Sequence, residues 1–175
     1  MQLYRFSPIK SEEELREAIR HTHLACFELC KKAFGHYLPA AGNIGIFCHY
    51  DEEYKFLTEL RKQLTQESDN INQKYFRLHE NIVIPSQGDV PETTYTHLYI
   101  RQPDPYRAQV GDVDFVIEES NFKEVKTSLQ EGKVMEGARI FPRADLDMIE
   151  LLDPDVDALG YVGPWEVTEK VRVRQ

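Results

Sequence analysis

Cysteine occurs only three times in 175 residues, as Cys26, Cys30 and Cys48. An odd set of thiols cannot pair fully within one chain, so a disulfide framework and the oxidising compartments that favour one are not indicated. No paired CxxC motif accompanies them, which removes the usual closed four-ligand zinc site. No apolar run approaches the length of a membrane span. The opening MQLYRFSPIKSEEEL lacks a basic segment followed by a continuous apolar stretch and is not read as a secretory signal. The expectation is a soluble, cytoplasmic protein without a membrane segment.

Positive charge is also scarce. Thirty acidic residues face 21 basic ones, a formal charge of −9, which disfavours a long nucleic-acid groove or an anionic lipid surface. That argument concerns the average field, and a local cluster of arginines can still hold a small anion. The chain has no GxxxxGK[ST], no GxGxxG and no serine nucleophile elbow, so P-loop, dinucleotide-binding and α/β-hydrolase chemistry are set aside. Asp153-Pro154-Asp155-Val156-Asp157 is acidic enough for a calcium loop but lacks its glycine and terminal glutamate.

What remains is an ordinary globular composition, with 41% apolar and 29% charged residues. Its length suits one domain, 1–175, with the tail 166–175 prone to fray. No internal repeat is visible. Met1 to Ile9 can form a first strand. Ser11 and Glu14 have capping-box spacing, and Leu15, Ile19, Cys26, Cys30 and Ala33 recur at helical intervals until Gly35. Asn43 to Tyr50 reads as a buried strand, and Asp51 as the cap of a second helix striped by Phe56, Leu57, Leu60 and Leu64.

Strands are expected at about Lys74 to Ile84 and Thr94 to Gln102, paired antiparallel, and at Val113 to Glu118. A helix over Ser120 to Glu131 follows, then short strands at Ala138 to Phe141 and Leu146 to Leu152, joined by a turn with Pro142 and Asp145. Val167, Val171 and Val173 suggest a last edge strand. The pattern predicts an α+β fold, a mostly antiparallel sheet of five to seven strands with about three helices packed on one face.

Alternation along the two central strands separates apolar from polar positions. Phe76 and Leu78 point one way, and Tyr75, Arg77 and His79 the other; Leu98 and Ile100 oppose Tyr95, His97, Tyr99 and Arg101. If both apolar sides join the core, the polar sides lie together. Guanidinium groups suit carboxylate or phosphate, tyrosine adds a hydroxyl and a stacking surface, and histidine exchanges protons near neutrality. The leading expectation is therefore a site for an anionic small molecule or nucleotide formed by Tyr75, Arg77, Tyr95, Tyr99 and Arg101, with Arg107 from a loop. His79 and His97 are the candidates for acid/base catalysis. The competing account is that tyrosine simply favours strands and exposed arginine supplies solubility.

Three other groupings bear on chemistry. His23, Cys26 and Cys30 share a helix face, and Cys48 and His49 could add ligands to make a set of zinc-type donors; the ordinary fate of such cysteines is burial. A Cys48 nucleophile with His49 as its base is disfavoured because adjacent strand residues face opposite ways. Asp112 and Asp114 share a strand face, with Asp147 and Glu150 on another, and paired carboxylates perform acid/base work or bind hard cations; solvated strand ends are the expected role.

The stretch from Asp112 to Pro154 also resembles part of a vicinal oxygen chelate module, the unit of glyoxalase-like proteins. A strand and a helix precede Ala138-Arg139-Ile140-Phe141 and Met148-Ile149-Glu150-Leu151. The resemblance covers about a quarter of the chain and implies a divalent metal bound by a glutamate on the last strand, for which Glu150 is the matching position. With His97 or His79 beside it, the activity implied is that of a metal-dependent lyase, isomerase or dioxygenase. A third class is a non-enzymatic interaction protein, a homodimer or an inhibitor of a basic partner, which the acidic surface allows.

Overall fold

A computed structural model describes residues 4–142 and 147–173. Helix α1, Glu12–Phe34, starts where Ser11 accepts a hydrogen bond from the Glu14 backbone and stops at left-handed Gly35. Helix α2, Asp51–Leu64, begins one residue earlier than a cap at Asp51 requires. Tyr50 is its N-cap, without a side-chain bond, and Asp51, Glu52 and Glu53 fill the first turn, where carboxylates favour the helix dipole. Helix α3 spans Glu119–Gln130 and helix α4 Trp165–Lys170.

The strands are β1 Ala40–Phe47, β2 Phe76–Ile84, β3 Thr93–Arg101, β4 Gly111–Val116, β5 Ala138–Phe141, β6 Met148–Leu151 and β7 Leu159–Gly163. They form one seven-stranded sheet in the order β2-β3-β1-β4-β7-β6-β5. β2 and β3 pair antiparallel as expected, but the sheet is mixed. β1 with β3 and β4 with β7 are parallel, because each pair is joined by a crossover that passes through a helix and further strands. The two halves repeat one topology, a strand and a helix followed by strands of which the last returns beside the first. The sequence carries no sign of this repetition.

Two further expectations are corrected, and one strand, β7, was not anticipated. Tyr4 to Phe6 turn rather than extend, so the first strand is absent among the described residues. β7 occupies the interior of the sheet, between β4 and β6, although its two glycines weaken the strand signal. Val167 lies in α4, not on an edge strand. The turn position Asp145 falls outside the described residues.

The main core joins α1, through Leu15, Ile19, Cys26 and Phe27, to the sheet residues Ile44, Ile46, Leu98, Val113, Phe115, Ile149 and Val162. Leu57 of α2 and Phe122 of α3 enter the same cluster, whereas Phe56 is exposed. The alternate strand positions Phe47, Met148, Leu159 and Tyr161 form a second cluster with Val167 and Val171. Three helices thus cover one face, and the short α4 lies on the other. Among the described residues no helix is long and apolar enough to cross a membrane.

Candidate functional site

A single row of polar side chains crosses the whole sheet on the face that bears α4. Arg77 of β2 pairs with His97 of β3, and His97 with Asn43 of β1. Asn43 Nδ2 donates to Asp114 Oδ2 of β4 at 2.8 Å. Asp114 pairs with Tyr161 of β7, Tyr161 with Glu150 of β6, and Glu150 with Arg139 of β5. Seven strands therefore present a base at each edge and carboxylates between them.

The β5–β6 end of this row is closed on itself. Glu150 is fully buried. It accepts a hydrogen bond from the Tyr161 hydroxyl at 3.1 Å, pairs with Arg139 at 2.5 Å and with Arg107 at 3.2 Å. Burial first, then Asp112 and Glu150, hold the Tyr161 phenol well above its usual range, so it stays a donor. Such a saturated ion network is the structural use of a buried carboxylate.

Asp112 and Asp114 form the middle of the floor and are buried, at 4% and 2% exposure, which corrects the expectation of solvated strand ends. Asp112 lies across Gly45 of β1. A Cβ at residue 45 would come within 2.1 Å of Asp112 Oδ1, so only glycine leaves room. The same oxygen accepts from the Tyr75 hydroxyl at 3.2 Å. Burial, then Asp112 and Asp114, push the Tyr75 phenol up, so this pair shares the phenol's proton.

At the β2–β3 end the balance changes. Arg172 is drawn here because its carbonyl accepts from the Lys74 and Tyr75 backbone N–H groups at 2.8 and 3.0 Å. Its guanidinium then reaches over β1, with Nε donating to Asn43 Oδ1 at 2.9 Å and Nη2 to the Ala41 carbonyl at 3.3 Å. Glu169 Oε1 lies 3.8 Å from its Nη1, and the Glu169 and Asp114 carboxylates both attract the guanidinium. Arg77 has no ion-pair partner among the described residues. His97 is half-buried, and its Nδ1 lies 2.8 Å from Thr96 Oγ1. Burial first, then Arg172 and Arg77, lower its pKa to about 4. Lys74 lies over the rings of Tyr75 and Tyr99 at 5.0 and 4.8 Å. Like charges gathered in this way mark a place where an anion gains from several donors at once.

The sequence-derived set is therefore divided. Tyr75, Arg77, His97 and Tyr99 share the polar face. Tyr95 does not; it is in the main core, with its hydroxyl 2.8 Å from His23 Nδ1 of α1. Strict alternation fails because the ladder shifts register between Arg77 and Ile82. Gly42 across β1 has φ +82, and its missing Cβ admits Thr96 Oγ1, so Tyr95 turns inward. His79 is exposed at the sheet edge. Arg101 lies over the Phe47 ring at 4.7 Å and pairs with Asp104 at 2.5 Å, and Arg107 pairs with Glu150 at 3.2 Å, so both already have a carboxylate partner within the chain.

The residues of the metal alternatives are not brought together among the described residues. Glu150 and His97 are on strands four spacings apart, about 19 Å, too far to share an ion. Glu150 is on β6, and the last strand of its half is β7. His23 is bound to Tyr95, and the Cys26 thiol donates to the Leu159 carbonyl. Among the described residues no three His, Cys, Asp or Glu side chains are placed to hold a metal. Asn43, Asp112, Asp114, Tyr161 and Arg172 were missed as members of the face. For Asp112 and Asp114 the i, i+2 spacing was the available signal. Arg172 gave none, because its place depends on tertiary pairing of the chain end with β2.

No family model matches the chain, and no curated protein matches it. In fold it is similar to the solved structure "Structural Genomics, Protein EC4020", with a TM-score of 0.53 and 13% sequence identity over 97% of this chain and 98% of that one. The likeness supports the α+β architecture and carries no function.

Proposed function

We propose that this chain binds a small anionic molecule, a phosphate- or carboxylate-bearing compound or a nucleotide, at the β2–β3 end of the polar face, with Arg77 and Arg172 as anchors. The observation that carries the reading is that Arg77, without an ion-pair partner among the described residues, stands opposite His97 in the β2–β3 ladder, and that Arg172, bonded to Asn43, adds a second positive charge acting on the same histidine. Arg172 is pinned by Asn43 and Ala41, so little side-chain entropy remains to be lost when a ligand arrives. His97, uncharged at neutral pH, offers a neutral ring nitrogen beside the two charged forks.

Titration calorimetry with inorganic phosphate, a dicarboxylate and mononucleotides tests this against the wild type, Arg77→Ala/Arg172→Ala and Arg101→Ala. Wild type and Arg101→Ala bind alike, and the double variant loses at least about tenfold in affinity, as expected for two charge-assisted contacts. Equal and negligible binding by all three proteins refutes the reading.

A further inference from the structure

The nature of the anion follows from what stands beside Arg172. Trp165 is the sole tryptophan of the chain, and it is 51% exposed at the start of α4. The Arg172 guanidinium lies 6.0 Å from its ring centroid, and Arg172 is held from behind by Asn43 and Ala41. An anion gripped by Arg172 is therefore held beside a half-exposed indole. Large exposed aromatics are costly to leave in water and are suited to stacking a second planar ring.

We infer that the ligand is a planar heteroaryl phosphate of the mononucleotide class, its phosphate held by Arg77 and Arg172 and its ring stacked on Trp165. This deepens the proposed anion site and rests on it. Stacking of a nucleobase on an aromatic side chain tolerates many ring types, so the site selects the class and not one base. The acidic remainder of the chain keeps longer polyanions away.

Adenosine 5′-monophosphate and ribose 5-phosphate carry the same phosphate and differ in the ring, so their affinities separate the two claims. In the wild type the nucleotide binds about tenfold or more tightly than the sugar phosphate, and it quenches the single tryptophan. Trp165→Ala brings the two affinities together by weakening the nucleotide alone, Trp165→Phe restores part of the difference, and Arg77→Ala/Arg172→Ala weakens both ligands. Equal wild-type affinities, or an unchanged ratio in Trp165→Ala, overturn the stacking inference while leaving the anion site standing. Absence of binding by either ligand removes both.

Discussion

Asn43 and Arg172, 129 positions apart in the chain, are joined by one hydrogen bond of 2.9 Å from Arg172 Nε to Asn43 Oδ1. The amide nitrogen of the same asparagine donates to Asp114 at 2.8 Å and to the Thr168 carbonyl at 2.9 Å. A buried neutral side chain thus bridges a carboxylate and a guanidinium. Asn43→Leu removes all three bonds at a fully buried position, with an expected stability loss of about 1–3 kcal/mol. Urea unfolding measures it, and anion affinity falls as well because Arg172 is no longer oriented.

Gly45→Ala sets a methyl group where Asp112 Oδ1 now lies. Asp112 must leave the Tyr75 hydroxyl, and the expected cost is about 1–3 kcal/mol. The loss is coupled to the carboxylate. In a double-mutant cycle by chemical denaturation, Asp112→Ala costs less in the Gly45→Ala background than in the wild type.

His23 is fully buried, and burial lowers its pKa to about 4 from 6.5. Below pH 6.5 the unfolded chain binds a proton that the folded chain refuses, so this group's contribution is complete above 6.5 and declines as the pH falls toward 4. The gap corresponds to about 3 kcal/mol. Unfolding free energies of wild type and His23→Phe between pH 7.5 and 4.5 check the slope. The wild type loses stability more steeply, and the variant keeps only the decline shared with other groups.

Helices α1 and α3 and the antiparallel β2–β3 pair were legible because local signals agree there: the Ser11 cap, the apolar spacing of Leu15 and Ile19, and strict alternation from Tyr75 to His79. β7 was not legible, since Gly160 and Gly163 weaken its strand propensity and its identity comes from burial between β4 and β6. Parallel pairing of β1 with β3 likewise depends on a crossover that no short window reveals. On the polar face, period-two counting identified Arg77, His97 and Tyr99 and failed at Tyr95, where the register shifts. Arg172 lay beyond any local pattern, because the groups that hold it are Asn43, Ala41 and the start of β2.

Arg77 and Arg172, not Arg101 or Arg107, are the arginines proposed to meet the ligand. Guanidinium-detected nuclear magnetic resonance during a titration with adenosine 5′-monophosphate reads each arginine separately. The expected result is saturable shifts at Arg77 and Arg172, with Arg101 and Arg107 unmoved in their pairs with Asp104 and Glu150. Shifts confined to Arg101 or Arg107, or none at any arginine at saturating nucleotide, contradict it.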